Sequence, residues 1–246
     1  MRVFQTMLPA VLGAFLFFTG AHAFELPRDS SQCLVGLASG WDSSHATLRL
    51  FEKKDGQWVQ VAGPWDARLG KKGLIWGRGI HPQPVDVPLK KEGDARTPAG
   101  IFRIGGAWGY APDATRHPRL PYRSITSRDL WVEDPASPHY NRHVRLDAEP
   151  SSAWEKKQQM KQGDSAHSLK LFIAHNAEPD IIAGAGSAIF FHIWRARGAK
   201  PSAGCTTLSE ENLRHLIASI DPAKKPLYII LPADEYKRLR PAWKLP

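Results

Sequence analysis

Apolar residues along the chain recur mostly at every second position, in short runs bounded by Gly, Pro, Asn and Asp, which is the period of half-buried strands. Leu34–Ala38 and Thr47–Phe51 read as strands, with Leu48 and Leu50 on the better-buried face of the second. Glu52-Lys53-Lys54 leads into Asp55-Gly56, and Gln57–Val61 returns, so the opening reads as a β-hairpin or meander. Between 62 and 100 the chain is rich in Gly and Pro. Brief β-like pieces stand at Leu74–Trp76 and Val85–Leu89, and a charged turn over Lys90–Gly100 precedes a strand at Ile101–Ile104. From Gly105 to Ser165 the patterning is weak. An irregular stretch of that length inside a compact domain is uncommon unless functional, so approximately 105–165 is the expected substrate wall and lid.

Order returns with Leu169–Ala174 (strand), Pro179–Gly186 (turn) and Ser187–Trp194 (strand). In the last, Ile189, Phe191 and Ile193 share one face, and Ala188, Phe190, His192 and Trp194 the other. Then the period changes. Leu213, Leu216, Ile217 and Ile220 lie at i, i+3, i+4 and i+7 behind a capping Ser209 and first-turn Glu210 and Glu211, a helix that should end before Asp221-Pro222. Leu227–Leu231 reads as a buried strand and Ala233–Arg240 as a short terminal helix. No strand–helix–strand alternation with a phosphate-binding glycine loop occurs. The expected fold is mainly β, a β-sandwich with one or two peripheral helices and a long irregular lid.

The N-terminus departs from this pattern. Arg2 precedes the apolar run Met7–Phe18, and Ala21-His22-Ala23 offers the small residues at −3 and −1 that a signal peptidase accepts, so residues 1–23 read as an export signal and 24–246 as one catalytic domain. The apolar run is shorter than the roughly 20 residues of a spanning helix. The chain of 246 residues carries a formal charge of +9. For an exported protein, such a charge suits the phosphates and carboxylates of a cell envelope, or serves solubility alone. Nucleic acid is not expected as a partner: no dense Lys/Arg run interleaved with aromatics occurs.

Candidate chemistry is concentrated near one pair. Of the two cysteines, Cys33 lies in an apolar run, where a thiol behaves as a small hydrophobe, whereas Cys205 follows Ser202-Ala203-Gly204 in a loop with little apolar cover. One buried and one exposed thiol are poor disulfide partners. A thiol attacks a carbonyl as thiolate, and an imidazole within reach can take its proton. His192, on a strand, precedes Cys205 by 13 positions, a span that a loop closes at modest entropic cost. Gly204 removes a side chain where a carbonyl must approach, and the amides around Gly204, Cys205 and Thr206 can form an oxyanion hole. Arg195 reads either as a partner for a substrate carboxylate or as a solvated strand-end charge. Tyr140 and Asn141 read either as cleft-lining residues or as turn chemistry. His139 and His143 are four apart, but Pro138 and Tyr140-Asn141 argue against a helix between them, and no metal site or other cofactor is expected.

With His192, Ser202, Gly204, Cys205 and Leu208 in this order, the chain resembles the YkuD-like L,D-transpeptidase catalytic domain family (ErfK/YbiS type), closest to a divergent branch with Ala-Gly-Cys. Ala203 stands where most members have a second histidine, and Thr207 where arginine is common. Stretches such as Gly93-Asp94, Thr97–Phe102, Asp134-Pro135, Tyr140-Asn141 and Gly184–Phe190 extend the resemblance over most of 33–232. The resemblance implies an exported enzyme of the periplasm or envelope acting on peptidoglycan stem peptides. Cys205 would form a thioester with loss of D-Ala, His192 would serve as base and then acid, and its other ring nitrogen would rest on a backbone carbonyl. Ser202 would help to place the substrate. A second stem's amine would complete transfer, and water would give carboxypeptidase activity instead. Papain- and NlpC/P60-like peptidases have the opposite Cys–His order. A non-catalytic envelope-binding module is the remaining alternative.

Overall fold

The computed structural model describes residues 24–246, so the expected export signal at 1–23 lies outside the described residues. Strand β1 (Gln32–Ala38) is buried along almost its whole length because it is paired on both edges, antiparallel to β2 (His45–Lys54) and parallel to β12 (Leu227–Pro232). β2 turns at Asp55 (φ 51°) and Gly56 (φ 79°) into β3 (Gln57–Arg68). Two successive positive φ values make the hairpin turn whose twist matches the flanking strands, and Asp-Gly is the pair that adopts it with least strain.

From β3 the sheet continues through β11 (Thr206–Leu208), β10 (Phe190–Ile193), β9 (Leu169–Ile173) and β5 (Thr97–Gly109), with β4 (Leu74–Trp76) and β6 (Tyr122–Ser124) on β5. Because β12 pairs with β5 as well as with β1, the sheet closes on itself. The fold is mainly β, as expected. Closure buries one face of every strand in the ring, and Leu34, Leu48, Phe102, Phe191 and Tyr228 meet inside it with almost no exposure. The connections are less hairpin-like than the sequence suggests, since β1/β12, β10/β11, β4/β5 and β5/β6 are parallel pairs.

Helix α2 (Glu210–Ser219) is capped by Ser209, whose hydroxyl accepts from the Asn212 amide, and it lies on β10 and β11. Leu213, Leu216, Ile217 and the adjoining Ile220 are fully buried, a contribution of roughly 6–12 kcal/mol against solvent before chain entropy is subtracted. Helix α3 (Ala233–Trp243) packs on β12 and β1 and runs past Arg240, with Pro241 inside it.

Three further expectations differ in ways that bear on the site and its surroundings. The Val85–Leu89 piece is no strand: Asp86 has φ 58°, Val85 is exposed, and only Leu89 bridges to Trp76. β5 starts at Thr97 rather than Ile101 because β4 pairs with Thr97–Ala99, and it runs to Gly109, into the stretch expected to be irregular. The strand around His192 begins at Phe190, since Ala188 has φ 53° and turns the chain.

The rest of 105–165 is organised by side chains. β7 (Asp129–Trp131) pairs with β8 (His143–Arg145), and the short helix α1 (Ala153–Lys157) is held by a reciprocal capping box between Ser152 and Glu155. Beneath this layer lies a second apolar cluster of Ile125, Trp131, Met160 and Phe190, against which Cys205 packs.

Candidate active site

β10 carries His192, and β11 begins one residue after Cys205. The two strands are parallel, with Phe191 opposite Thr206 and His192 opposite Thr207. Side chains alternate along a strand, so His192 and Cys205 share a face as diagonal neighbours, the thiol two positions back on the adjoining strand. On the other edge of β10, His192 is opposite Lys170 of β9. Lys170, His192 and Thr207 therefore form one rung across three strands, and Lys170, His192 and Cys205 all line a cleft of about 340 Å³.

The loop that carries Cys205 is fixed from both ends. Ser202 is bridged to the end of β3, its amide donating to the Leu69 carbonyl at 2.9 Å and its own carbonyl accepting from Lys71 at 2.9 Å. Its hydroxyl donates to the Cys205 carbonyl at 2.5 Å and accepts from the Gly204 amide at 3.0 Å. Ser202 thus shapes the cysteine turn, although it also lines the cleft. The Gly204 N–H is engaged in that turn. A Cβ on Gly204 would stand 3.2 Å from the Arg96 carbonyl oxygen and 3.4 Å from Ile189, so the glycine lets the 90–96 turn close over the loop. Thr206 belongs to the β10 ladder, and its hydroxyl meets Tyr228 OH at 3.0 Å in the core. Among the described residues the Cys205 amide has no hydrogen-bond partner, which makes it the free donor beside the sulfur.

His192 Nδ1 lies 2.8 Å from the carbonyl of Ile193, the partner the resemblance implies. A proton on Nδ1 leaves Nε2 as the lone pair facing the cleft. The ring is nearly buried, and burial, reinforced by neighbouring His167, pulls its pKa down to about 3. Burial pushes the Cys205 thiol up, against the opposing pull of the Phe190 amide and the Lys170 charge. Sγ accepts from Phe190 N at 3.5 Å and points its proton to the Ala188 carbonyl at 3.4 Å. Burial thus favours the neutral thiol and the neutral imidazole in the resting pair. Cys205 is half-buried rather than exposed, because Phe190 and the second cluster cover it. Cys33 is fully buried, with its pKa pushed by burial to about 12, and both thiols are free.

The imidazole of His192 is stacked by His167, with ring centroids 4.7 Å apart and planes 29° apart. Asp164 holds His167 Nδ1 at 2.7 Å and Arg195 at 2.7 Å. Burial pushes the Asp164 carboxyl up, but these bonds outweigh it and hold the group well below the usual range. Arg195 lines the cleft as an already neutralised charge.

Tyr140 and Asn141 stand one layer behind the wall. Tyr140 donates to Glu92, which also receives the Ser187 hydroxyl at 2.7 Å. Asn141 accepts from Trp131 Nε1 at 2.9 Å and from Ala188 N at 3.0 Å, and donates to the carbonyls of His175 and Asn176. It ties the wall to the approach of the His192 strand. His139 is exposed, and His143 is engaged by Asp129 and Arg123. Sequence reasoning missed Lys170, His167 and Asp164. The signal for Lys170 was present: a lysine between Leu169 and Leu171 occupies a strand position that is buried on either face.

Closed sheet and cleft together define a mainly β protein with a thiol and an imidazole on adjacent strands of one charged pocket. The family model of the L,D-transpeptidase catalytic domain, YkuD, matches residues 42–229, and the chain belongs to that family. Among solved structures, the helical cell shape determining protein Pgp2 from Campylobacter jejuni is similar at 14% identity and a TM-score of 0.39. The match covers 83% of this chain and 49% of that one, so the chain spans about half the length of Pgp2. No curated protein matches the chain.

Proposed function

We propose that the protein is an exported cysteine L,D-transpeptidase acting on peptidoglycan stem peptides, with Cys205 as nucleophile and His192 as general base and then general acid. The observation that carries this reading is the placement of His192 and Cys205 on one face of neighbouring parallel strands, inside a cleft of a chain that belongs to the family. Sγ attacks the carbonyl preceding the terminal D-Ala while its proton passes to His192 Nε2. The Cys205 amide, without a hydrogen-bond partner among the described residues, is the donor available to the developing oxyanion. The protonated imidazole gives its proton to the leaving D-Ala amine as the C–N bond breaks, leaving a thioester. Attack by an amine of a second stem forms the cross-link and releases the thiolate, which recovers a proton from the attacking amine through His192.

A neutral resting pair suits this order of events, since the thiolate forms only when a substrate carbonyl is present to receive it. The Ala21-His22-Ala23 sequence and the net positive charge support export to the envelope, where such peptides occur.

The test is to incubate purified protein with disaccharide tetrapeptides and follow the masses. A thioester adduct that disappears in Cys205→Ala but not in Cys33→Ala, with dimers as product, is the expected result. D-Ala loss without dimers identifies a carboxypeptidase, and binding without either product would overturn the enzymatic reading in favour of a recognition module.

A further inference from the structure

Three cations other than histidine that line the cleft differ in one respect. Lys90 is paired with Asp94, and Arg195 with Asp164. Among the described residues Lys170 has no carboxylate in ion-pair contact. Its Nζ makes one hydrogen bond, to the Met160 carbonyl at 2.9 Å, and the residue is only 4% exposed. The carboxylates of Asp164 and of Glu133, which lines the same cleft, act on it only from beyond contact distance. An ammonium has three donors, and leaving two of them buried and unpaired is costly unless an anion completes them. Burial lowers the Lys170 pKa to about 8, so the group still carries its charge at neutral pH.

Its position says which anion fits. Lys170 is opposite His192 across the β9–β10 edge, and its Nζ stands 5.7 Å from the centre of the Phe190 ring. The same Phe190 donates its amide to Cys205 Sγ. Sulfur and ammonium thus flank a single residue, and an extended chain advances roughly 3.3–3.6 Å per residue, which is the step from a carbonyl attacked by Sγ to the carboxylate of one terminal amino acid.

We propose that the Lys170 ammonium is the carboxylate subsite of the cleft, receiving the C-terminal carboxylate of the stem peptide, so that the enzyme acts on the last peptide bond and not on internal ones. This rests on the reading of Cys205 as the nucleophile for stem peptides. It also transfers the carboxylate role from Arg195, which Asp164 already satisfies, to a residue with donors to spare.

The test compares a synthetic stem tetrapeptide ending in D-Ala with its C-terminal carboxamide, measuring binding calorimetrically in a Cys205→Ala background and kcat/KM in the intact protein. A preference of about 10- to 100-fold for the acid is expected, the factor that a charge-assisted hydrogen bond carries. Lys170→Met should collapse that ratio toward one, and Lys170→Arg should restore most of it. Equal binding of acid and amide by the otherwise unchanged protein overturns the proposal without recourse to a Lys170 variant. So does a preference that survives Lys170→Met, and if the alkylation pH profile of Cys205 shifts in that variant, the ammonium serves the thiolate instead. Acid-selective binding with no turnover of either peptide would leave the subsite standing and overturn the enzymatic reading.

Discussion

A buried thiol beside a buried imidazole has a defined consequence for reactivity. Both environments favour the uncharged forms, because transferring either ion out of water costs more than the neighbours return. Free of substrate, Cys205 should therefore alkylate with iodoacetamide along a pH profile whose midpoint lies above the roughly 8.5 of a free cysteine. A midpoint near or below 7 would show a preformed thiolate–imidazolium pair. His192 and Cys205 were readable as candidates from strand alternation and a glycine-prefaced thiol. The Asn141 role was not, because a side chain that bonds four separated backbone and ring groups shows nothing in its own neighbourhood of sequence. Asn141→Ala strands the Trp131 indole N–H and the Ala188 amide inside the wall, and should lower unfolding stability by about 2–4 kcal/mol in urea titrations. A loss within 0.5 kcal/mol, the ordinary effect of a surface substitution, would show that water replaces those bonds.

At the scale of elements, helix α2 and the β2–β3 hairpin were legible because each has local chemistry at its ends: Ser209 with Glu210 and Glu211, and Asp55-Gly56. β5 was legible only at Ile101–Ile104, since Pro98, Gly100, Gly105 and Gly106 look like breakers. It persists because β4, β12, β9 and β6 supply pairing along its length. The cysteine loop depends in the same way on a distant element, the end of β3, through Ser202. Ser202→Ala removes the hydroxyl that spans Gly204 N and the Cys205 carbonyl, while the backbone bonds to Leu69 and Lys71 remain. The fold should lose about 1–2 kcal/mol. The rate of thioester formation should fall at least tenfold, because displacing a nucleophile by an ångström can cost about 100-fold. Single-turnover mass spectrometry reads the rate and thermal melting reads the fold. A rate unchanged in Ser202→Ala would mean that the backbone bridge alone positions the sulfur.

Across the whole molecule, closing the sheet places several imidazoles where they cannot charge. Burial pulls His81 to about 4 and both His175 and His192 to about 3. Each binds its proton near 6.5 when unfolded. Between about 6.5 and 4 the unfolded chain therefore holds up to three protons that the native protein refuses, and stability must fall as pH falls, by as much as about 4 kcal/mol per pH unit if all three act together. The carboxylates add to the loss only later. Asp221 is drawn down to about 2 by its bond to Arg119, so its contribution is present above roughly 4 and disappears as pH drops toward that lower value. On the alkaline side the sign reverses. Cys33, raised by burial to about 12, keeps its proton in the folded state while the unfolded thiol loses it above about 8.5. Urea midpoints measured from pH 4.5 to 10 should thus drop steeply below about 6.5, while above about 8 the buried Cys33 lowers them with rising pH and Lys170, whose pKa burial lowers to about 8, raises them. His81→Asn and His175→Asn should each shallow the acid limb while lowering the plateau, since each loses its ring's packing and the bonds to Ile101 and Arg78. If the acid limb keeps its slope in both variants, the buried imidazoles do not set the acid stability of this fold, and the loss must come from the carboxylates.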